Sequence, residues 1–449
     1  MVELNNKKLK TMKVFLAIIF LITSSNVLCQ SYIEKYLTSL EETTFFSGSV
    51  LITKGDSVIL NKGYGYADYE NNIPNTSATL HRIGSLTKPI TSMAILKLIS
   101  DSNRMTLTDS IGMYLLDIPK SWKRVTIFHL LTHTSGIPDH FGDLAAVPVR
   151  DTYLEIEKVF KNQANATLEN KPGEAYSYNN FGYVILGYLI EVISGKKYSK
   201  YLEDVIFKSL KMDRTAYDEP QNIIEGRSQG YRLLNDFRIN DKLKDPAAYS
   251  AGGLLSSTDD LLKWSKALKT NIILNNKLLD KMFTPFKSDY GLGWQIVYKN
   301  GRKMYNHNGS IHGYNTRLVY YPNEDVFIAV LGNNEDVRAA AITCDIEAFL
   351  FDDIEHATKI SKPFGFKIEE LLGFTGDYIS ESGEKRIIEL QGEKLLYSNG
   401  SDKYELKPLS SKTLCYANYE DIRIDFINTD VFVISSCSVN PLTFKRKTQ

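Results

Sequence analysis

The sequence predicts a mixed α/β (α+β) fold in which strand-rich ends enclose a helical middle, followed by a small all-β region. Strand-like runs occupy residues 48–60 and return between 290 and 333, whereas residues 101–270 combine helical periodicity with loops. The C-terminal region consists of short alternating strands separated by hairpin turns such as Asn399-Gly400. We therefore expect a sheet flanked by helices, an all-helical lobe inserted into it, and a small β-barrel-like accessory domain.

The first elements are a hairpin and a long helix. Residues 46–69 contain two apolar strand-like segments around a turn at Gly55, which is typical of a β-hairpin. From Ser85 to Ser100 apolar residues recur on one helical stripe, and Pro89 falls early in that helix, where proline is tolerated. The sequence therefore predicts a strand pair followed by a helix that begins at Ser85.

The later elements continue this alternation. Helices are expected over residues 179–194 and 258–269, and Thr258 offers the second of them a hydroxyl acceptor for its free N–H groups. Strands follow between 290 and 333, and a last helix is expected over residues 335–351. These strands and the N-terminal hairpin are the candidates for the sheet.

Composition divides the chain into four segments. Residues 1–29 form a targeting signal, 30–355 the main domain, 356–368 a polar linker and 369–449 the accessory β domain. Lys+Arg and Asp+Glu number 53 each, so no charge imbalance points to a nucleic-acid partner. Nothing in the composition implies a cofactor, and the sequence does not indicate the oligomeric state.

The N-terminus has the features of an export signal. Four lysines between positions 7 and 13 precede an apolar run from Val14 to Ile22, which is too short to span a bilayer. This pattern predicts an exported protein, in the periplasm of a Gram-negative bacterium, although secretion or membrane tethering would give the same signal. Lipidation of Cys29 is the alternative, but Leu28 is bulky where a lipoprotein signal normally has a small residue.

The remaining cysteines, Cys344, Cys415 and Cys437, are scattered and have no CxxC spacing. Such a pattern argues against both a disulfide framework and a zinc site. We expect three buried free thiols, with a Cys415–Cys437 bridge in the β domain as the alternative.

The pattern that carries chemistry begins with Ser85-Leu86-Thr87-Lys88. A serine hydroxyl is a weak nucleophile at neutral pH and needs a base within hydrogen-bonding reach. The i,i+3 spacing places Ser85 and Lys88 on one helical face. A lysine can act as the base only if burial or neighbouring positive charge lowers its pKa. Alone, the pattern is common by chance, and a surface serine with a solvated lysine is the alternative interpretation.

Two later segments contain residues that could complete a catalytic site with Ser85 and Lys88. Tyr178 and Asn180 form a Tyr-x-Asn triplet at the start of a predicted helix. His307 and Gly309 form a His-x-Gly motif that is followed by Ser310, in a glycine-containing stretch where a substrate backbone could approach closely.

In this order, the Ser-x-x-Lys, Tyr-x-Asn and His-x-Gly motifs resemble those of class C β-lactamases and penicillin-binding-protein-like serine hydrolases. Flanking stretches agree, including Leu130-Leu-Thr-His-Thr-Ser-Gly136 and Tyr290-Gly-Leu-Gly-Trp294. The resemblance covers roughly residues 30–355. It implies a β-lactamase/transpeptidase-like antiparallel sheet flanked by helices, with an all-helical lobe.

The resemblance also implies a mechanism. Ser85 would attack a carbonyl and form an acyl-enzyme, while Lys88 and Tyr178 would share proton transfer. Tyr178 would donate to the leaving group and activate the deacylating water, and either residue could be the base in acylation. The substrate would be an amide or ester: a D-amino-acid peptide, a peptidoglycan-type peptide or a carboxylic ester.

Four residues would bind the substrate by the same resemblance: Asn180, His307, Gly309 and Ser310. Asn180 would orient Lys88 and bind a substrate amide, and the backbone N–H groups of Ser85 and Ser310 would hold the oxyanion. His307 departs from the lysine that classical β-lactamases carry there to hold the substrate carboxylate. Because histidine is mostly neutral at pH 7, we expect peptidase or esterase activity in preference to efficient penicillin hydrolysis.

Three alternatives stand beside this interpretation. The chain could be a β-lactamase proper, or a penicillin-binding sensor module that acylates without turnover. His129, His133 and His140, with Asp139 nearby, superficially suggest zinc. That stretch has no HExxH glutamate and coincides with a structural loop of the family, so a hydrogen-bonded structural role is favoured over metal binding.

Overall fold

The computed structural model contains a mixed α/β domain followed by a closed β-barrel. It describes residues 30–42, 46–102, 105–142, 152–163, 165–219, 224–234, 237–240, 248–351, 372–381, 383–392, 394–399, 403–408, 412–416, 419–435 and 442–447. The predicted export signal and the predicted linker lie outside these ranges. Among the residues described, no helix is both long enough and apolar enough to cross a membrane.

The main domain contains thirteen strands among its described residues, most of them short. They are β1 Gly48–Lys54, β2 Ser57–Tyr64, β3 Tyr66–Asp68, β4 Ile73–Pro74, β5 His81–Arg82, β6 Ala216–Tyr217, β7 Tyr231–Leu234, β8 Phe237–Asn240, β9 Leu254–Ser256, β10 Gln295–Lys299, β11 Arg302–Ile311, β12 Tyr314–Tyr321 and β13 Val326–Gly332.

Its described helices lie mainly between β5 and β10. They are α1 30–42, α2 Thr87–Ser102, α3 Ile127–Leu131, α4 Thr152–Asn162, α5 Asn180–Ser194, α6 Tyr198–Leu202, α7 Lys208–Leu210, α8 Tyr249–Gly252, α9 Thr258–Ser265, α10 Asn276–Met282 and α11 Ala339–Leu350. Single 3₁₀ turns cover Gly84–Leu86, Ile111–Met113, Lys120–Trp122 and Lys266–Leu268, and one π turn covers Glu203–Phe207.

Both ends of the main domain meet in one antiparallel sheet with the strand order β10-β11-β12-β13-β1-β2. β1 pairs along its whole length with β13, from Gly48 opposite Gly332 to Lys54 opposite Val326. The expected hairpin is present as β1 and β2, and the expected C-terminal strands are β10 to β13. The predicted fold class is confirmed.

The sheet separates two hydrophobic cores, as the period-two alternation of strand side chains requires. Val50 and Ile52 of β1 face the core beneath α1 and α11, whereas Leu51 between them faces the larger core of the helical lobe. Because both faces are covered by helices, the central strands are buried on both sides.

Capping residues set the boundaries of α5 and the start of α9. Asn179 begins α5 by accepting a hydrogen bond from the Gly182 N–H at 2.6 Å, and Gly195 ends it with a φ of +69°. Ser257 caps α9 by accepting from the Asp260 N–H at 3.3 Å. That helix was expected to start with Thr258 as its cap, and the true cap is one residue earlier.

The accessory domain is a closed eight-stranded barrel, in agreement with the predicted β-barrel-like fold. Its strands are β14 Gly376–Ser380, β15 Lys385–Gln391, β16 Lys394–Ser398, β17 Lys403–Pro408, β18 Thr413–Tyr416, β19 Tyr419–Asn428, β20 Val431–Ser435 and β21 Leu442–Arg446. Its interior is filled by aromatic and aliphatic side chains, with the rings of Tyr378 and Phe432 4.8 Å apart. β19 contacts α11 of the main domain.

Cys344 on α11 is disulfide-bonded, to a cysteine whose side chain is not among those described. The prediction of three free thiols is therefore wrong. No local signal indicated this bridge, because every other cysteine lies far from Cys344 along the chain and a bridge of that kind depends on the tertiary fold.

Candidate active site

Ser85 lies in the 3₁₀ turn Gly84–Leu86, which joins β5 to α2. The α-helix was expected to begin at Ser85, but it begins at Thr87, because the Thr87 N–H bonds back to the Gly84 carbonyl and tightens the first turn. Gly84 has a φ of +52°, a conformation that glycine adopts without steric cost. Ser85 thus sits at the N-terminal end of a long helix, just before Lys88.

Two glycines let this turn pack directly against β11. A Cβ atom on Gly84 would lie 3.0 Å from the backbone nitrogen of Ser310, and one on Gly309 would lie 2.2 Å from the Ile83 carbonyl oxygen. Thr316, opposite Gly309 on β12, donates its hydroxyl to the same carbonyl at 2.9 Å. Gly309 therefore permits the close packing of two backbones, a role that the sequence did not indicate. Ser310 lies next to the turn as a result.

Lys88 is fully buried and makes three hydrogen bonds. Its Nζ atom lies 2.9 Å from the Ser85 Oγ, 2.8 Å from the Asn180 Oδ1 and 2.8 Å from the Ala251 carbonyl oxygen. The last two atoms can only accept hydrogen bonds. A neutral amine has two protons for these two acceptors, and its lone pair then points to the hydroxyl of Ser85.

Burial makes the neutral amine accessible near pH 7. Removal from water disfavours the charged form and lowers the pKa of Lys88 from 10.5 to about 7, while the Asp139 carboxylate opposes this shift. The requirement stated for a lysine base, a lowered pKa, is therefore met by burial.

Tyr178 faces this pair. Its ring centroid lies 4.9 Å from the Lys88 Nζ, and its hydroxyl is hydrogen-bonded to Ser85. Burial raises the pKa of Tyr178 above its ordinary value, and the Ser85 hydrogen bond opposes the shift only in part. The residue as a whole is 39% exposed, so this burial concerns the phenol end that faces Ser85. The hydroxyl therefore remains protonated at neutral pH.

The start of α5 supplies Asn180 and orders a carboxylate beside it. Asp139 accepts the backbone N–H groups of Asn180 at 3.3 Å and Phe181 at 3.0 Å, where the helix dipole favours negative charge. The residue is exposed. Asn180 in turn accepts from Lys88, as expected for a residue that orients the lysine.

Both ring nitrogens of His307 are engaged within the protein. Nδ1 lies 2.7 Å from the Asn308 carbonyl oxygen and must donate to it, so in the neutral ring Nε2 accepts the hydroxyl of Tyr290 at 2.9 Å. Burial, followed by the charge of Lys88, lowers the pKa of His307 to about 3. This side chain offers a substrate no positive charge.

An aromatic shell surrounds the pair of Lys88 and Tyr178. The buried ring of His133 lies at its centre, with ring centroids 4.3 Å from Tyr178, 5.1 Å from Tyr183 and 4.7 Å from Tyr290. This packing excludes water from Lys88, which is the physical origin of its lowered pKa.

The other histidines of the loop also contact protein groups. His129 Nδ1 accepts the Thr126 N–H at 3.2 Å in a reciprocal cap of α3, and the ring of His140 stacks on Trp122 with centroids 5.8 Å apart. The residues described contain no group of three or more histidine, cysteine or carboxylate side chains arranged to hold a metal ion.

The fold brings together all seven residues that the sequence singled out, around the turn at Ser85, the start of α5 and β11. Sequence reasoning missed the placement of three others: Asp139, His133 and Tyr290. His133 makes the hydrogen bonds expected of a structural role, but its place beside Tyr178 and that of Asp139 beside Asn180 were not foreseen. The Leu-Thr-His-Thr-Ser-Gly segment, which contains His133 and ends three residues before Asp139, was the available signal. Tyr290 belongs to the Tyr290-Gly-Leu-Gly-Trp294 stretch that resembles the family, but the sequence assigns it no function at the site.

The fold and the geometry of these residues define a class, the serine hydrolases of the β-lactamase/transpeptidase fold. The Beta-lactamase family model matches residues 32–348, most of the chain. The chain therefore belongs to the beta-lactamase family.

The chain is similar to two penicillin-binding proteins and to a solved D-amino acid amidase. PbpX of Bacillus subtilis (strain 168), named for penicillin binding, is 29% identical over 272 residues, which are 60% of this chain and 66% of PbpX. This chain thus spans just under two thirds of that relative. Penicillin-binding protein 4* of the same strain is 25% identical over 88% of this chain and 93% of its own. The solved D-amino acid amidase from Ochrobactrum anthropi SV3 superposes with a TM-score of 0.63 at 22% identity, covering 74% of this chain and 99% of the amidase.

Proposed function

We propose that this protein hydrolyses amides or esters through an acyl-enzyme on Ser85. The observation that carries the proposal is the contact between the Lys88 amine and the Ser85 hydroxyl at 2.9 Å, with a lysine pKa of about 7. A base poised near the working pH gives the best compromise between being deprotonated and being able to take a proton.

In acylation, the lone pair of Lys88 takes the Ser85 proton as Oγ bonds to the substrate carbonyl carbon. The carbonyl oxygen becomes an oxyanion that faces the backbone N–H groups of Ser85 and Ser310. When the intermediate collapses, the bond to the leaving nitrogen or oxygen breaks. The leaving group takes the proton of Tyr178, and the Lys88 ammonium returns a proton to the phenol. The products are an ester on Ser85 and a free amine or alcohol.

Deacylation reverses these proton movements with water as the nucleophile. Water gives a proton to Lys88 through Tyr178 and bonds to the acyl carbon, after which the Ser85 oxygen leaves and recovers its proton. A carboxylic acid is released. The opposed pKa shifts support this division of labour, because burial favours a neutral lysine and a protonated phenol.

We propose substrates without a free carboxylate next to the reacting carbonyl, such as D-amino-acid amides, peptides with an N-terminal D-residue, or carboxylic esters. Two features of the site support this preference. His307 is neutral and engaged with Tyr290, whereas the exposed carboxylate of Asp139 at the start of α5 would attract a substrate ammonium. The fold shared with a D-amino acid amidase is consistent with such a substrate.

A second candidate is a protein that is acylated by β-lactams and turns over slowly or not at all. The names of PbpX and penicillin-binding protein 4* favour it. The neutral His307 argues against efficient binding of a β-lactam carboxylate.

A substrate panel on the wild type and on Ser85→Ala tests the proposal. The panel contains a D-amino-acid amide, its L-enantiomer, a short-chain aryl ester and a cephalosporin, and the acyl adduct is detected by intact mass. We expect turnover of the ester and the D-amide, an adduct on the wild type, and loss of both in Ser85→Ala.

The matched control is Ser209→Ala, which removes an exposed serine hydroxyl in α7. It should behave as the wild type. Activity that survives in Ser85→Ala refutes the nucleophile, and a cephalosporin adduct without turnover of any substrate favours the second candidate.

We also propose that the protein is exported. The N-terminal charge and apolar pattern supports this, and so does the disulfide at Cys344, because disulfides persist mainly in oxidising compartments. Cell fractionation with N-terminal mass analysis tests it: a soluble chain in the cytoplasm with residues 1–29 intact would contradict the proposal.

A further inference from the structure

His133 hydrogen-bonds to the backbone on both sides of Tyr178. Its carbonyl oxygen accepts the Ser177 N–H at 2.9 Å, and its Nδ1 atom accepts the Asn179 N–H at 3.1 Å. A single residue therefore anchors the backbone N–H groups of both sequence neighbours of Tyr178.

The ring of His133 adds a third contact. It packs against the Tyr178 ring with centroids 4.3 Å apart, and Tyr183 and Tyr290 support its other sides. His133 is 1% exposed, so the anchor itself has little freedom to move.

The backbone of His133 adopts a rare conformation for a residue with a side chain. Its φ is +55°, in the left-handed region that asparagine and glycine tolerate better than bulky residues. The Thr134 N–H, bonded to the His129 carbonyl at 2.8 Å, holds the turn in this shape. Such strain persists where surrounding structure fixes it and is frequent at functional sites.

The hydrogen bond to Asn179 also fixes the state of the ring. Because Nδ1 accepts, the neutral imidazole carries its proton on Nε2, which is buried and has no hydrogen-bond partner among the described residues. Burial, and after it repulsion by the Lys88 ammonium, hold the pKa of His133 well below its usual range. Tyr176, Tyr178, Tyr183 and Tyr290 complete the groups that face it. The ring thus stays an acceptor at neutral pH.

We propose that His133 is a positioning residue that holds the phenol of Tyr178 in reach of Ser85 and Lys88. The inference rests on the proposed function, in which Tyr178 carries the proton between Lys88 and the leaving group. His133 does not contact the reacting atoms and acts through Tyr178.

Loss of the anchor should reduce the rate of the chemical step more than substrate binding. A misplacement of about 1 Å in a reacting group can reduce the rate by ~10²-fold. KM should change little, because the substrate-binding groups at Asn180 and Ser310 are held by other contacts of α5 and β11.

Three variants separate the hydrogen bond from the ring. His133→Asn keeps an acceptor near Nδ1 and tolerates the left-handed backbone, but it loses the ring. His133→Phe keeps the ring and loses the acceptor. His133→Gly loses both the ring and the acceptor. Glycine adopts the positive φ at this position without strain, so the backbone conformation does not destabilise this variant. We expect kcat to fall ~10²-fold in the Phe and Gly variants and to recover to within about tenfold of the wild type in the Asn variant.

Amide hydrogen exchange at Asn179 gives a readout that needs no turnover. It is measured by NMR or mass spectrometry on the full chain. The Asn179 N–H should exchange faster in His133→Phe and His133→Gly and regain protection in His133→Asn.

The outcomes are distinguishable. If Asn179 exchange follows the expected order but no variant or wild type turns over any substrate, the anchor stands and the proposed function fails. If the wild type is active and His133→Phe retains its kcat, or if the loss falls on KM alone, the positioning role is refuted. A loss of kcat in His133→Asn equal to that in His133→Gly also refutes it.

Discussion

The main domain and the barrel bury different kinds of side chain. The main domain buries Lys88, His133, His307 and Arg317, together with many hydroxyl and amide groups. Among the described barrel residues, every buried side chain is aliphatic or aromatic, as at Leu414. A buried polar group costs free energy unless it is hydrogen-bonded, so its retention calls for another reason.

The comparison separates stability from chemistry. In the main domain some of these buried groups, Lys88 and His133 among them, lie around the turn at Ser85, where burial lowers the pKa of Lys88 and His133 anchors the backbone beside Tyr178. In the barrel, burial serves packing alone. A substitution at the buried polar site of the main domain should therefore lower activity without lowering stability. A substitution in the core of the barrel should lower stability without lowering activity.

The largest expected effect is on turnover in Lys88→Met. Removal of the proposed base should lower kcat/KM by about 10²–10⁴-fold, the usual contribution of general base catalysis. Stability should rise by about 1–2 kcal/mol, because the folded protein no longer buries an amine whose charged form it disfavours. Thermal unfolding and steady-state kinetics measure the two effects. A variant that is inactive and also less stable would break the comparison.

A substitution in the core of the barrel is expected to reduce stability and leave activity unchanged. Phe432 is fully buried and packs on Tyr378, Phe426 and Phe444. Phe432→Ala should destabilise the barrel by about 3–5 kcal/mol through loss of burial and cavity formation, with kcat unchanged. The matched control is Ile427→Ala at an exposed position of the barrel, which should change neither the stability nor kcat. A large fall in kcat for Phe432→Ala would show that the barrel takes part in the reaction.

The disulfide at Cys344 predicts a smaller change in stability. Cys344→Ala should lower the free energy of unfolding by about 2–4 kcal/mol, because the unfolded chain loses a cross-link. Denaturation curves of the wild type with and without reductant provide the check, and activity serves as the control. Identical curves would mean that the bridge does not form in solution.

The smallest expected effect concerns pH. Lys88 acts as a base only when neutral, so kcat/KM should fall about tenfold per pH unit below its pKa of about 7. Asp139→Asn removes the carboxylate that raises this pKa, and should shift the acid limb to lower pH. A pH profile of both proteins tests the prediction. An acid limb that is flat down to pH 5 would exclude Lys88 as the base.

Much of the site was predictable because its motifs are local. The spacing of Ser85 and Lys88 needs only a helical turn, and Asn180 follows Tyr178 at a helix start that Asn179 caps. The fold class followed from the distribution of strand-like and helix-like segments, and the barrel from the alternating strands at the C-terminus.

The rest depends on contacts between distant segments. His133 meets Tyr178 across 45 positions of sequence, and Tyr290 reaches His307 from the turn before β10. Gly309 was expected to face a substrate, but its neighbour is the Ile83 carbonyl. None of these pairings has a periodicity or spacing that could be recognised without the fold.

The pairing of β1 with β13 has a consequence for how the chain folds. The two strands are adjacent in the sheet but lie near opposite ends of the main domain in sequence. The middle of the sheet therefore cannot form until nearly all of that domain has been synthesised. Contacts between such distant segments make folding slow, since the chain must first close a very long loop. A ribosome-bound fragment that lacks β13 should therefore remain sensitive to proteases, and circular permutation that joins these two strands by a short turn should speed refolding.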